Sequence, residues 1–249
     1  MAKTVLVTGG TRGIGEAICR LAGARGYRVA LNYPDASQAE RADVIVHEVE
    51  RAGGSARAFV ADVRSKPEVE AMFGEIDRSL GRISALVNNV GGGTDPVEIP
   101  DMGDAYIAGI VAKNFLSMAY CSTEAAKRMS SRCGGEGGVI VNISSTAAVY
   151  LDRPGRTIYA ASKGAIESYT RGAARELADA NIRVNAVRVG IIDTPTHDVR
   201  DDEMQARIRR TVPLKRAGRP EEVAATVMFL LSDQASYITG EVVATSGGR

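Results

Sequence analysis

Short apolar runs alternate with longer stretches of mixed polarity along almost the whole chain. The runs are TVLVT (4–8), RVALNY (28–33), ARAFVADV (56–63), ISALVNN (83–89), VIVNIS (139–144), RVNAVRV (183–189) and EVVAT (241–245). Their apolar positions are continuous and β-branched rather than every second residue, which predicts strands covered on both faces. Between them the pattern predicts helices over about 13–25, up to about 52, up to about 80, and onward from Thr157. Strand–helix alternation of this kind predicts an α/β fold, a doubly wound parallel sheet of about seven strands with right-handed crossovers and helices on both faces. No linker or repeat divides the chain, so residues 1–249 are expected to form one domain. GGEGG (134–138) is expected to be a flexible turn between a helix and a strand. The stretch 191–218, charged and carrying Pro195 and Pro213, is expected to be a flap over a site.

Composition narrows the function classes. Of 249 residues, 45% are hydrophobic and 24% charged, and 31 Lys plus Arg against 30 Asp plus Glu leave a net charge of +1. No basic excess points to nucleic acid. Cys19, Cys121 and Cys133 are odd in number and far apart, the pattern of free thiols in a reducing compartment. The N-terminal residues lack a signal-peptide apolar region, and no apolar run approaches the ~20 residues of a membrane helix, so a cytoplasmic location away from membranes is expected. His47 and His197 are the only histidines. No Cys/His set has zinc-ligand spacing, so no metal is expected, and neither histidine lies in a nucleophile-elbow context.

The first strand runs into TGGTRGIG (8–15), whose glycines Gly9, Gly13 and Gly15 allow a tight turn and close approach of backbone to a phosphate. The following helix offers unpaired N–H groups and the positive end of its dipole. Between a strand and a helix in the first βαβ unit, this is a Rossmann-like dinucleotide signature. Further on, IYAASKG (158–164) sets Tyr159 and Lys163 four apart with small residues between them. On a helix the two share a face, so the ammonium lies within reach of the phenol. Free tyrosine has a pKa of ~10, and a neighbouring cation favours the phenolate needed for proton transfer.

The spacing of the glycines, with Asp62-Val63, NNVG (88–91), NISS (142–145), YAASK (159–163), RPEEVA and YITGE in this order, resembles the short-chain dehydrogenase/reductase family, in its main single-domain branch, over essentially the whole chain. The resemblance implies a catalytic set of Asn114, Ser145, Tyr159 and Lys163. Tyr159 would be the acid/base, Lys163 would lower its pKa and bind ribose hydroxyls, Ser145 would orient the substrate, and Asn114 would anchor a relay water. It implies that Gly9, Thr11, Arg12, Gly13, Ile14 and Gly15 hold the cofactor, with Asp62 and Val63 near its adenine. Asn89, Gly91, Tyr159, Lys163, Gly190, Ile192 and Thr194 would complete that site. Three departures stand out: Val189 replaces the proline usual before Gly190, Val90 replaces an alanine, and one extra residue separates Ser145 from Tyr159.

The implied activity is interconversion of a small-molecule carbonyl and a secondary alcohol by hydride transfer. NADP(H) is expected as the preferred cofactor and NAD(H) as the alternative. Tyr33 stands where an NAD enzyme carries an acid, and Arg12 matches the family's basic residue at the 2′-phosphate. A 3-oxoacyl-carrier reductase is the leading substrate reading, a sugar or polyol dehydrogenase the second, and a non-catalytic nucleotide sensor the rival of a different class. The resemblance also implies a homotetramer. RIRRTVPLKRAGR (207–219) reads either as a docking patch for a carrier protein or as a solvated surface.

Overall fold

The computed structural model describes residues 3–93, 95–151, 153–195 and 199–249. Its strands are β1 (Thr4–Val7), β2 (Arg28–Tyr33), β3 (Ser55–Val60), β4 (Ala85–Asn88), β5 (Gly138–Ser145), β6 (Ile182–Val189) and β7 (Val242–Thr245). The α-helices among the described residues are α1 (Gly13–Ala24), α2 (Ala39–Arg51), α3 (Lys66–Leu80), α4 (Asp104–Val111), α5 (Ser117–Met129), α6 (Thr157–Leu177), α7 (Asp202–Thr211) and α8 (Pro220–Leu231). The seven strands form one sheet in the order β3-β2-β1-β4-β5-β6-β7, every neighbouring pair parallel. Strand order reverses between β1 and β4, which opens a crevice at the carboxyl ends of the strands.

The continuous apolar runs follow from burial on both sides. In β1, Val5 and Val7 belong to a core built with α1, α2 and α8, whereas Leu6 between them faces a second core built with α3, α5 and α6. β2 repeats the division, with Val29 and Leu31 on the first side and Ala30 on the second. Successive side chains point to opposite faces, so both must be apolar. Each such valine or leucine side chain contributes about 1.5–3 kcal/mol on full burial.

Four local outcomes differ from the sequence reading. β3 ends at Val60, and Ala61–Val63 run on as a loop at the edge of the crevice. The backbone between α4 and α5 widens into a π turn over Ala112–Leu116. GGEGG is not a loose turn, because Gly135 N donates to Ser130 O (2.9 Å), Gly137 N to Met129 O (2.8 Å) and Gly138 N to Asn181 O (3.0 Å). The 191–218 stretch contains the regular helix α7, whose Ile208 packs with Ile191 and Val212 in a small core of its own.

Candidate active site

The turn after β1 is built for an anion. Arg12 precedes α1 with extended backbone and places no side chain on the helix end, so the first-turn N–H groups remain available. A Cβ on Gly15 would overlap the Gly9 carbonyl oxygen, so only glycine lets the helix start this close to the turn. Asn89 secures the turn to β4, its Nδ2 donating to Thr8 O (3.0 Å) and Gly9 O (3.1 Å). Thr11 is buried, Ile14 packs on the first core, and Arg12 is exposed at the rim. From this turn a cleft of about 1040 Å³ runs past the ends of β4, β5 and β6, large enough for a dinucleotide and a small substrate.

Beyond the glycine turn, Asp62 and Val63 line the cleft. The Asp62 carboxylate receives Arg64 Nε (2.9 Å) and Nη2 (2.6 Å), and this guanidinium holds its carboxyl below the usual range. Tyr33 does not occupy the expected place. It packs against the first core, and the residues that line the cleft after β2 are Asn32, Pro34 and Asp35. The pleat explains this, since Asn32 and Tyr33 must face opposite sides. The Asp35 carboxylate is turned onto Ser37, accepting its backbone N–H at 2.9 Å.

Ser145, Tyr159 and Lys163 meet where β5 ends beside the first turns of α6. The pleat of β5 separates the two serines of NISS. Ser144 is buried, donating to Glu167 Oε1 (2.9 Å), while Ser145 faces the cleft. Ser145 Oγ accepts the Ala147 N–H (3.2 Å), and its hydroxyl also hydrogen-bonds Tyr159. The extra residue between Ser145 and Tyr159 does not part them, and a short 3-10 turn (Thr146–Ala148) follows Ser145.

Burial raises the Tyr159 phenol above its ordinary value, against the opposing hydrogen bond from Ser145 and the charge of Arg156. The expectation that Lys163 supplies the lowering charge is not met in this arrangement. The Lys163 ammonium donates to Ile143 O (2.9 Å) and lies 6.0 Å from the Tyr159 ring centroid. Burial, assisted by the charge of Lys113, brings its own pKa down to about 8.

Asn114 sits fully buried in the π turn, and its side chain is committed to the protein. Oδ1 accepts from Gly92 N (2.9 Å), and Nδ2 donates to Gly92 O (3.2 Å) and Ile110 O (3.0 Å). It thereby fastens the glycine loop over Lys163. A Cβ on Gly91 would come within 2.8 Å of both Asn114 Oδ1 and Lys163 Nζ. Gly190, Ile192 and Thr194 form the opposite wall. Val189 in place of proline keeps that wall in the sheet, paired with Ser145 on one side and Thr245 on the other. Val90 packs on the second core and touches the cleft.

Sequence reasoning missed a set of cations in the same cleft, Arg64, Lys113, Arg153, Arg156 and Arg249, and placed Arg207 in a basic patch rather than here. Only Lys113, beside Asn114, and Arg156, three before Tyr159, carried any signal in their sequence position. His47 is exposed, with Nδ1 2.7 Å from Asp43 O, and His197 lies outside the described residues. No group of His, Cys, Asp or Glu among the described residues is arranged to hold a metal. Cys19, Cys121 and Cys133 are free, and burial raises the thiols of Cys19 and Cys121. No helix among the described residues is long and apolar enough to cross a membrane.

A family model described as Enoyl-(Acyl carrier protein) reductase matches residues 9–249. Oxidoreductase YgfF of Escherichia coli is 40% identical over 246 residues, covering 98% of each chain. The chain belongs to the short-chain dehydrogenase/reductase family. Another member, a 3-oxoacyl-(acyl-carrier-protein) reductase of Staphylococcus aureus, is 36% identical over 248 residues, covering 100% of this chain and 98% of that one. A short-chain dehydrogenase of Burkholderia cenocepacia, solved in complex with NADP, superposes with a TM-score of 0.91 at 32% identity, covering 99% of this chain and 97% of that one. As a short-chain dehydrogenase/reductase, the protein is an NAD(P)-dependent oxidoreductase on a Rossmann-like sheet.

Proposed function

We propose that this chain is an NADP-preferring oxidoreductase that interconverts a carbonyl and a secondary alcohol, with Tyr159 as the acid/base. The observation that carries the reading is the meeting of Ser145, Tyr159 and Lys163 in the cleft that begins at the glycine turn. The cradle fits a nicotinamide dinucleotide: the N-terminus of α1 and the missing Cβ of Gly15 suit its pyrophosphate, and the Lys163 ammonium, close to Gly91, suits a ribose hydroxyl. When bound, that cofactor supplies or accepts the hydride.

The chain's own groups handle the substrate oxygen. Ser145, whose hydroxyl bonds Tyr159 in this arrangement, would turn its O–H to a substrate carbonyl and hold it at the phenol. The raised phenol stays protonated at neutral pH and delivers its proton to the developing alkoxide. Asn114 acts by holding the loop 91–93 over Lys163 rather than through a free side chain.

The NADP preference is supported by three cations near the nucleotide end. Arg12 and Arg64 both depress the half-buried Lys113 ammonium, after burial itself, and an added phosphate would relieve that mutual repulsion. A carrier-linked 3-oxoacyl substrate is supported by the full-length similarity to the Staphylococcus aureus reductase. Part of the 207–219 patch is engaged within the chain, Arg216 with Glu222 (2.7 and 2.8 Å) and Lys215 with Arg209 O (2.9 Å). A docking carrier would therefore use Arg209, Arg210 and Arg219.

The test is Tyr159→Phe with NADPH and a 3-oxoacyl thioester. The phenol's loss should lower kcat by ~10²–10⁴-fold while cofactor Kd changes by less than about threefold. A loss below tenfold in a chemistry-limited assay overturns the assignment.

A further inference from the structure

The end of β5 is tied to α6 residue by residue. Asn142 Nδ2 donates to Thr170 Oγ1 (2.9 Å), the Lys163 ammonium to Ile143 O (2.9 Å) and the Ser144 hydroxyl to Glu167 Oε1 (2.9 Å), while Ser145 bonds Tyr159. Positions 159, 163, 167 and 170 recur every three or four residues, so one face of the helix carries all four. The reaction as described uses Tyr159, Lys163 and Ser145. It leaves Glu167 without a task, although this carboxylate is held inside the protein at 4% exposure.

Its charge is met from the next strand. Arg188 Nε donates to Glu167 Oε1 (2.8 Å) and Nη2 to Oε2 (2.6 Å), a two-pronged contact. Arg188 lies on β6, opposite Ser144 in register and two residues before Gly190 in the cleft wall. Burial would raise the Glu167 carboxyl, but the hydrogen bonds from Arg188 and Ser144, with the charges of Arg188 and Arg171, hold it below its ordinary value. It is therefore ionised at neutral pH and accepts three donors at once. A buried ion pair is a weak source of stability, because desolvation offsets most of its attraction. Its stronger effect here is directional. The carboxylate stays bonded to Ser144 and Arg188 together only while α6, β5 and β6 keep one arrangement. Ser144 in turn stands between Ile143, whose carbonyl seats the Lys163 ammonium, and Ser145.

We infer that Glu167, oriented by Arg188, is a positioning residue: through Ser144 it fixes the end of β5 against α6, so that the Ser145 hydroxyl stands at the Tyr159 phenol. This rests on the proposed oxidoreductase reading and extends it to a residue one turn beyond Lys163 that does not line the cleft. A misplacement of about 1 Å between reacting groups can cost on the order of 10²-fold in rate, so a tie behind the site acts on the chemistry without touching it.

The experiment compares the parent with Glu167→Ala, Glu167→Gln and Ser144→Ala. It reads kcat with NADPH and a 3-oxoacyl thioester, and hydrogen exchange of the Ala147 amide, bonded to Ser145 Oγ (3.2 Å), in the cofactor-free protein. Glu167→Ala and Ser144→Ala should each lower kcat about tenfold or more, with NADPH Kd and substrate KM within about threefold of the parent. Both should also speed exchange at Ala147. The conservative Glu167→Gln keeps a hydrogen bond to Ser144 whichever way its amide turns, and should recover most of the lost kcat. It still loses the charge that Arg188 meets, so Glu167→Gln and Glu167→Ala should both melt below the parent. Equal kcat in the Gln and Ala variants overturns the proposal, because the ion pair alone would then explain both. An Ala147 amide exchanging at the parental rate in Glu167→Ala and Ser144→Ala overturns it as well. Should Glu167→Ala fail to fold, Ser144→Ala leaves the ion pair in place, and an unchanged kcat there overturns the proposal. A parent that leaves the thioester unreduced counts against the proposed activity and not against the positioning, which exchange at Ala147 then decides by itself.

Discussion

At the scale of single residues, the positions that carry chemistry are tuned by burial as much as by their neighbours. Lys163 lies in the protein interior with a pKa of about 8 against an ordinary value near 10.5. Between those two values the unfolded chain binds more protons at this site than the folded one. The cofactor-free protein therefore gains stability from this group as pH rises through that window. Titration of the Lys163 Cε resonance should show a midpoint near 8, and a midpoint above 10 would remove the basis for that dependence. Arg12 makes a separate prediction at the nucleotide end. Its loss should remove about 1–2 kcal/mol of attraction for a 2′-phosphate at an exposed site, roughly a 5- to 30-fold fall in NADP over NAD selectivity. Measuring kcat/KM with both cofactors in the parent and in Arg12→Ala checks this, and an equal loss for both would contradict it. The shared face of Tyr159 and Lys163 was legible in helix spacing, whereas Ser145 was singled out from its neighbour Ser144 only by the family resemblance. The action of Arg156 on the phenol was not legible, because it depends on how two loops fold against each other. Tyr33 was misplaced for a simpler reason: the pleat turns it onto the first core, away from the side on which Asn32 and Pro34 line the cleft.

At the scale of elements, the strands were readable because burial on both faces demands unbroken apolar runs, and such runs announce themselves. The π turn at Ala112–Leu116 was not, since nothing in AKNFL distinguishes one extra residue per turn from an ordinary helix. α7 was hidden by its own composition. Its sequence is dominated by charge, and what holds it is a cluster of three buried residues, Ile191, Ile208 and Val212, apart from the two large cores. So small a core gives a low cost of local opening. Hydrogen exchange of 202–211 should be faster than that of α1 or α8 in the free protein and should slow on binding cofactor and substrate. Equal protection in the two states would show that this helix does not act as a lid.

At the scale of the whole molecule, α6 divides its small residues: Ala173 and Ala174 pack on the second core, while Gly164 and Gly172 face away from it. A Cβ added at Gly164 or Gly172 would meet nothing within 4 Å. An outward face of this kind suits close approach of a second copy, in keeping with the homotetramer that the sequence implied. Light scattering at micromolar concentration should give a mass of four chains. Gly172→Glu should shift it to smaller species without loss of helical circular dichroism, and a monomeric parent would refute the assembly.

The two serines at the end of β5 show how much of this depends on counting. One hydroxyl binds Glu167 under the sheet and its neighbour faces the cleft. The chemical identity of the side chain is the same, and only the parity of its position assigns the task. Deleting one residue between 139 and 144 would carry Ser145 to the buried side and set Thr146 at the cleft position, with every hydroxyl still in the chain. Such a frameshift within a strand would erase function without removing a single reactive group, and a second compensating slip upstream would restore it.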